Sequence, residues 1–113
     1  MVRKLYIPNR MDIMWIDLNP TRGHEQSSVR PVLVLSERAY NKKTNLAVVC
    51  PITSQVKGFN FEVAINDFKV TGVILSDHVR SLDWSRRNIR FIQKASRDVF
   101  NEVEEKLSTL LFG

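Results

Sequence analysis

Between Gly23 and Pro31 the chain reads Gly-His-Glu-Gln-Ser-Ser-Val-Arg-Pro. That stretch holds an imidazole (His24), a carboxylate (Glu25), a carboxamide (Gln26), two hydroxyls (Ser27, Ser28) and a guanidinium (Arg30). Val32-Leu33-Val34-Leu35 follows at once, an apolar run that suits a buried strand. A polar segment opening into a buried strand is a common way for a fold to present a site on a rigid support. A second such place is Cys50-Pro51-Ile52-Thr53-Ser54-Gln55, where an apolar run again ends in hydroxyls and an amide. Together these groups suit a small site acting on a phosphate.

The chemistry narrows by what the chain lacks. His24 and His78 lie far apart, Cys50 stands alone, and no Cys/His spacing resembles a zinc site. Glycine occurs only at 23, 58, 72 and 113, so there is no phosphate-binding or dinucleotide glycine loop and no Gly-x-Ser-x-Gly elbow. A reaction free of metal and cofactor is the expectation that remains. RNA carries its own nucleophile, the 2′-hydroxyl beside the scissile phosphate. Its cleavage needs a group to take that proton, another to protonate the 5′-oxygen, and donors around the pentacoordinate phosphate. Arg30 suits the phosphate because its planar fork donates two bonds at once. Thr53 can donate from a neighbouring strand end. Glu25 can act as base or orient Arg30, and His24 can take a proton near neutrality. Each also has a plainer reading: an Arg at a strand start is ordinarily a solvated charge, and a Thr at a strand end serves β-propensity or capping.

These groups must be positioned by a scaffold of short strands. Asp12 to Leu18 alternates as a first strand, and Asn19-Pro20-Thr21-Arg22-Gly23 is turn chemistry. Arg30 precedes a proline, which biases it toward extended backbone at the start of the second strand. Ser36 to Asn41 suits one helical turn and Asn41 to Asn45 a solvated turn. Leu46 to Ile52 is a near-continuous apolar strand, expected to be buried on both faces. Further strands are expected over Phe59 to Ile65, Gly72 to Val79 and Asn88 to Lys94, with a helical turn over Ser81 to Trp84. Ser96 is placed to cap a closing helix, along which Val99, Phe100, Val103, Leu107, Leu110 and Leu111 recur on one face. The pattern predicts a mainly β domain, a strongly bent sheet or partly closed barrel capped by one C-terminal helix.

With 113 residues, the chain reads as one domain over 1–113, and its 43% hydrophobic and 26% charged content is that of a globular protein. No apolar run approaches the roughly 20 residues of a membrane span, no secretory h-region opens the chain, and the single cysteine fits a cytoplasmic protein. A net charge of +5 favours a polyanionic partner. Arg80, Arg86, Arg87, Arg90, Lys94 and Arg97 gather late in the chain, and Arg80, Arg86 and Arg87 are candidates to position phosphates.

Gly23-His24-Glu25-Gln26 followed by Arg30-Pro31-Val32-Leu33-Val34-Leu35-Ser36 resembles the signature of MazF/PemK-type toxins. So do Asp17-Leu18-Asn19-Pro20-Thr21, Pro51-Ile52-Thr53, Gly72-Val73 and Asp77-x-Val79-Arg80-Ser81-Leu82-Asp83-Trp84. The resemblance spans nearly the whole chain. It implies an SH3-like or CcdB/MazF-type small β-barrel, a homodimer, and a sequence-specific endoribonuclease active without metal. Such an enzyme cuts single-stranded RNA to a 2′,3′-cyclic phosphate and a 5′-hydroxyl, and a cognate MazE-like antitoxin blocks it. It also implies that Arg30 and Thr53 are the catalytic pair and that Glu25 supports them. Plasmid-borne members emphasise the positions of His24 and Asp77 with an Arg two before that Asp; here that residue is Leu75, so the second set is incomplete. His24, Gln26, Ser54, Gln55, Lys57, Asp77, Arg80 and Arg86 are the expected RNA-binding or secondary residues. Trp84 could stack on RNA, and Trp15 reads as core. Ser27-Ser28 replaces the family's usual glycine, and His78 stands where Gln is common. The competing expectations are a gyrase poison on the same barrel, acting by protein contact as CcdB does, and a catalytically weakened homologue kept for antitoxin binding.

Overall fold

The computed structural model describes residues 5–18 and 29–113. Among these residues seven strands form one sheet: β1 (Asp12–Asp17), β2 (Val29–Val34), β3 (Leu46–Thr53), β4 (Glu62–Asn66), β5 (Thr71–Leu75), β6 (Arg80–Asp83) and β7 (Ile89–Lys94). Two helices accompany them, α1 (Arg38–Thr44) and α2 (Arg97–Phe112). The order across the sheet is β4-β5-β3-β2-β1-β7, with β6 also on β3, and every pairing is antiparallel. The expected mainly β architecture with a closing helix is what the chain adopts, as a curled, half-closed sheet.

Strand β3 organises the curl. One edge pairs with β2 along Val32–Pro51, Leu33–Cys50 and Val34–Val49. The other edge is divided: Leu46 to Val49 pair with β6, and Ile52 and Thr53 pair with β5. Splitting one edge between two partners bends the sheet and leaves the end of β3 at the opening of the curl. Its apolar run meets the core on both faces, but on one face in each half of the strand, so that Leu46, Val48 and Pro51 stay half-buried. Cys50 and Ile52 join one cluster with Ile13, Leu33, Val63, Ile74, Phe100 and Val103, while Ala47 and Val49 join another with Met14, Ile16, Val32, Val34 and Leu82.

The closing helix starts where the cap predicts, with Ser96 Oγ accepting from the Val99 amide at 3.1 Å. Only part of its apolar face is covered. Phe100 and Val103 are buried and Val99 and Leu107 pack on the same cluster, but Leu110 and Leu111 are exposed.

Two local expectations are corrected. The single helical turn expected over Ser36 to Asn41 is a longer helix, α1, which runs through the expected solvated turn to Thr44 and is ended by Asn45 in the left-handed region (φ 62°). The reason is Asn41, a turn-forming residue that is instead fully buried. Its amide donates to the carbonyls of Pro8 and Ser36 at 2.8 and 3.0 Å, and its oxygen accepts from Ser36 Oγ at 2.6 Å. Ser81 to Trp84 is not a helical turn either. Arg80–Asp83 is β6, whose Leu82 is buried opposite Ala47, and a 3-10 turn follows at Trp84–Arg86. The open first half of β3 supplied an edge that local propensity could not reveal. Two strands are also shorter than expected: β4 begins at Glu62, not Phe59, and β5 ends at Leu75, where the His78 amide closes a turn on the Leu75 carbonyl at 3.1 Å.

Candidate active site

Arg30 reaches its place because Pro31 keeps the start of β2 extended and β2 is held on both sides, by β1 and β3. The β2–β3 register, carried two residues beyond Val32–Pro51, sets Arg30 across from Thr53. Both residues line a cleft of about 550 Å³ with Ser54, Gln55, Lys69 and Thr71 at its polar wall. Trp15, Pro31, Ile52 and Val70 supply the apolar wall. Four of the expected site residues, Arg30, Thr53, Ser54 and Gln55, thus come together from the ends of two strands that are distant in sequence.

The Arg30 guanidinium is exposed and donates one bond to the neighbouring Val29 carbonyl at 3.2 Å. The same guanidinium lines the cleft, where its planar fork can meet a phosphate. Thr53 Oγ1 accepts from the Gln55 amide at 3.1 Å, which fixes the rotamer while leaving the hydroxyl proton to donate elsewhere. Gly72 makes this corner possible. A Cβ there would lie 2.2 Å from the Thr53 carbonyl oxygen, and φ is +146°, so only glycine lets β5 approach β3 this closely.

The other expected residues are distributed differently. Lys57 lines a smaller adjoining cleft together with Gln55 and Thr53. Asp77 is half-buried beyond the end of β5, with His78 Nε2 3.7 Å from its Oδ1. Its charge and, more strongly, burial push the Cys50 thiol up to about 12, so that thiol is held protonated. Arg80 pairs with Val49 in β6 and Arg86 sits 3.7 Å from Asp83; neither lines the cleft. Arg87 is committed to structure, donating to the carbonyls of Asp17 and Asp83 at 2.8 and 3.1 Å. Lys94 is likewise committed, to the buried Asp12 at 2.7 Å. Glu25, His24 and Gln26 lie outside the described residues, as does Ser27-Ser28.

Three cleft residues were not singled out by the sequence. Lys69, in the turn between β4 and β5, reads as an ordinary solvated charge until the β4–β5 hairpin folds onto β3 and delivers it. Thr71 arrives with it. Trp15 was assigned to the core; it does pack against the core that contains Ile13, but it also forms the cleft wall and continues into a groove with Lys69 and Arg90. Trp84, the stacking candidate, instead donates its indole N–H to the Asn41 carbonyl at 3.1 Å and packs on the Met14 cluster. The result is a cationic rim of Arg30, Lys69 and Arg90 around an aromatic wall, a surface suited to a single-stranded polyanion. Among the described residues, no three His, Cys, Asp or Glu side chains gather closely enough to hold a metal ion.

Known proteins share this fold and much of this sequence. A family model described as the PemK-like, MazF-like toxin of type II toxin–antitoxin systems matches residues 9–111. The endoribonuclease toxin MazF of Escherichia coli K12 is 35% identical over 106 residues, covering 94% of this chain and 96% of that protein. The crystal structure of MazF from Deinococcus radiodurans superposes with a TM-score of 0.84 at 46% identity, covering 94% of this chain and 97% of the other. A MazE–MazF crystal structure from the same organism gives 0.84 at 41% identity, covering 95% and 97%.

Proposed function

This chain belongs to the PemK-like, MazF-like toxins of type II toxin–antitoxin systems, and on that footing we propose that it is an endoribonuclease toxin that cuts single-stranded RNA without a metal ion. The observation that carries the reading is the meeting of Arg30 and Thr53 in one cleft with Lys69. In the proposed reaction the substrate's own 2′-hydroxyl attacks the adjacent phosphorus, giving a 2′,3′-cyclic phosphate and a 5′-hydroxyl. Arg30 binds the non-bridging oxygens and neutralises the charge that builds on them in the transition state. Thr53 donates a further hydrogen bond to the same group. Glu25 assists, as base for the 2′-hydroxyl or as the carboxylate that orients Arg30, and His24 is a secondary proton carrier or RNA contact. Gln26, Ser54, Gln55 and Lys57 are proposed to contact flanking nucleotides. Asp77, Arg80 and Arg86 stand further from the chemistry.

The proposal extends to partners. The Deinococcus MazF is held by MazE, and a cognate MazE-like antitoxin is the partner proposed for this chain. A homodimer is the proposed working form. No helix among the described residues is long and apolar enough to cross a membrane, and the cytoplasm, where messenger RNA is found, is the proposed place of action.

The test is direct. Protein freed of antitoxin is incubated with a long single-stranded RNA in excess EDTA. Discrete cleavage is expected, lowered roughly 100- to 1,000-fold in Arg30→Ala, the size seen when one transition-state donor is removed, and lowered strongly in Thr53→Ala. Cleavage abolished by EDTA, or RNA left intact while gyrase-dependent DNA breaks form, would overturn the proposal.

A further inference from the structure

The sequence offers Arg87 as a phosphate contact, but its bonds go to the protein. The half-buried guanidinium donates from Nη1 to the Asp17 carbonyl at 2.8 Å and from Nε to the Asp83 carbonyl at 3.1 Å. One planar fork therefore joins the end of β1 to the end of β6. The turn that aims it is tied as well. The Arg87 amide donates to the Trp84 carbonyl at 3.3 Å, and the Asp83 carboxylate accepts from the Ser85 amide at 2.9 Å and from its hydroxyl at 2.6 Å.

The place where this fork lands bears on the cleft. Among the described residues β7 follows β1 only as far as Ile16–Ile89, whereas β2 continues one rung further, to Asp17–Val29. Arg87 meets β1 at that last rung. Across the rung, Val29 lines the cleft, and its carbonyl accepts from the Arg30 guanidinium at 3.2 Å. A series of contacts thus runs from Asp83 through Arg87, Asp17 and Val29 to Arg30. Its far end is anchored in the sheet, because Asp83 pairs with Leu46 of β3.

We infer that Arg87 is a positioning residue for the cleavage reaction, acting through Arg30. It sets the last β1–β2 rung at a fixed distance from the β3–β6 ladder, and the rung sets the Arg30 fork. Holding two neutral carbonyls at one spacing is a task of geometry, which a planar pair of donors performs and a point charge on a flexible stem does not. The reaction needs that geometry, since a misplacement of about 1 Å at a reacting group can cost on the order of a hundredfold. The inference rests on the endoribonuclease reading above and adds to it a residue that does not line the cleft.

The experiment is a double-mutant cycle between Arg87 and Arg30. Single-turnover cleavage is measured at saturating protein, beside affinity for an oligonucleotide with a 2′-deoxy sugar at the cleavage point, at a temperature where urea titration shows each variant folded. Arg87→Ala should slow cleavage roughly ten- to hundredfold and leave affinity within about threefold. In an Arg30→Ala background the same substitution should cost less than about threefold, because its effect passes through Arg30. Arg87→Lys, which keeps the charge and the stem, should fall between Arg87→Ala and the unmodified protein, and it carries the cycle if Arg87→Ala does not fold. Equal losses in both backgrounds would show a merely structural role and overturn the inference. So would a loss of affinity with the cleavage rate kept, which marks a direct RNA contact, or an unchanged rate in folded Arg87→Ala. Amide hydrogen exchange separates this inference from the reading it rests on. Exchange at Val29 and Arg30 should quicken roughly tenfold in Arg87→Ala, and unchanged exchange overturns the inference whatever the kinetics. If the unmodified protein leaves RNA intact, the endoribonuclease reading fails, and exchange alone decides whether Arg87 holds the rung.

Discussion

Arg30 is asked to do what a lysine cannot. A planar guanidinium can hold two phosphate oxygens in one geometry, whereas an ammonium is a point charge on a flexible stem. Arg30→Lys is therefore expected to keep RNA affinity within a few-fold and to lose most of kcat, which single-turnover kinetics at saturating protein will show. The Cys50 thiol makes the opposite kind of prediction. Buried and held protonated up to about pH 12, it should resist iodoacetamide at pH 8 in the folded protein and react at once in urea. The linkage has a definite sign. The thiol is raised from its ordinary 9.0 on folding, so its contribution is complete below pH 9 and is lost as the pH climbs toward 12. Tyr6, raised by burial and by its 2.6 Å bond to Asp12, acts in the same direction. Thermal unfolding should therefore move to lower temperature above about pH 9, and Cys50→Ala should flatten that fall. Much of this scale was readable beforehand. Arg30 and Thr53 carry motif chemistry, but Lys69 has no local signal, because only the β4–β5 hairpin gives it a place in the cleft of Thr53.

At the scale of elements, the site depends on how closely two strands approach. Gly72 permits β5 to lie against the Thr53 carbonyl, and a methyl group there has nowhere to go. Gly72→Ala should destabilise the fold by about 2 kcal/mol or more in urea titration, since overpacking and a disfavoured φ add. Cleavage should fall further than stability explains, because Thr53 is displaced directly. A helix cap offers a calibrating contrast. Ser96→Ala, far from the cleft, should cost about 1 kcal/mol and leave kcat/KM unchanged. Strand periodicity announced β1, β2, β3 and β7 well. It read α1 too short and misread β6, and for the same physical reason. Asn41 is a helix hub only because Pro8 and Ser36 meet its amide, and Arg80–Asp83 is a strand only because β3 has half an edge unfilled. Both are long-range contacts that override a local preference.

For the whole molecule the charge distribution decides how RNA arrives. The excess of +5 is not spread evenly over working groups. Arg87 and Lys94, from the basic stretch that stood out in the sequence, hold the Asp17 and Asp83 carbonyls and the buried Asp12 away from the cleft, while Arg30, Lys69 and Arg90 line the clefts, Lys69 with a 3.5 Å bond to the Ile92 carbonyl. Affinity for single-stranded RNA should fall linearly on a log–log plot against salt. Lys69→Ala should make that slope shallower by about 0.7, the contribution of one phosphate contact on a single strand. The same substitution in Lys94 should instead lower stability, since it leaves the buried Asp12 short of its counter-charge.

The central claim is that the Arg30–Thr53 cleft cleaves RNA by using the substrate's own 2′-hydroxyl. The most direct measurement is end-group analysis on an oligonucleotide with one mapped cleavage site, in EDTA, beside the same oligonucleotide carrying a single 2′-deoxy sugar on the 5′ side of that bond. The account predicts 2′,3′-cyclic phosphate and 5′-hydroxyl ends from the first and no cleavage of the second. Products bearing 5′-phosphate, or cleavage that persists through the deoxy position, would contradict it.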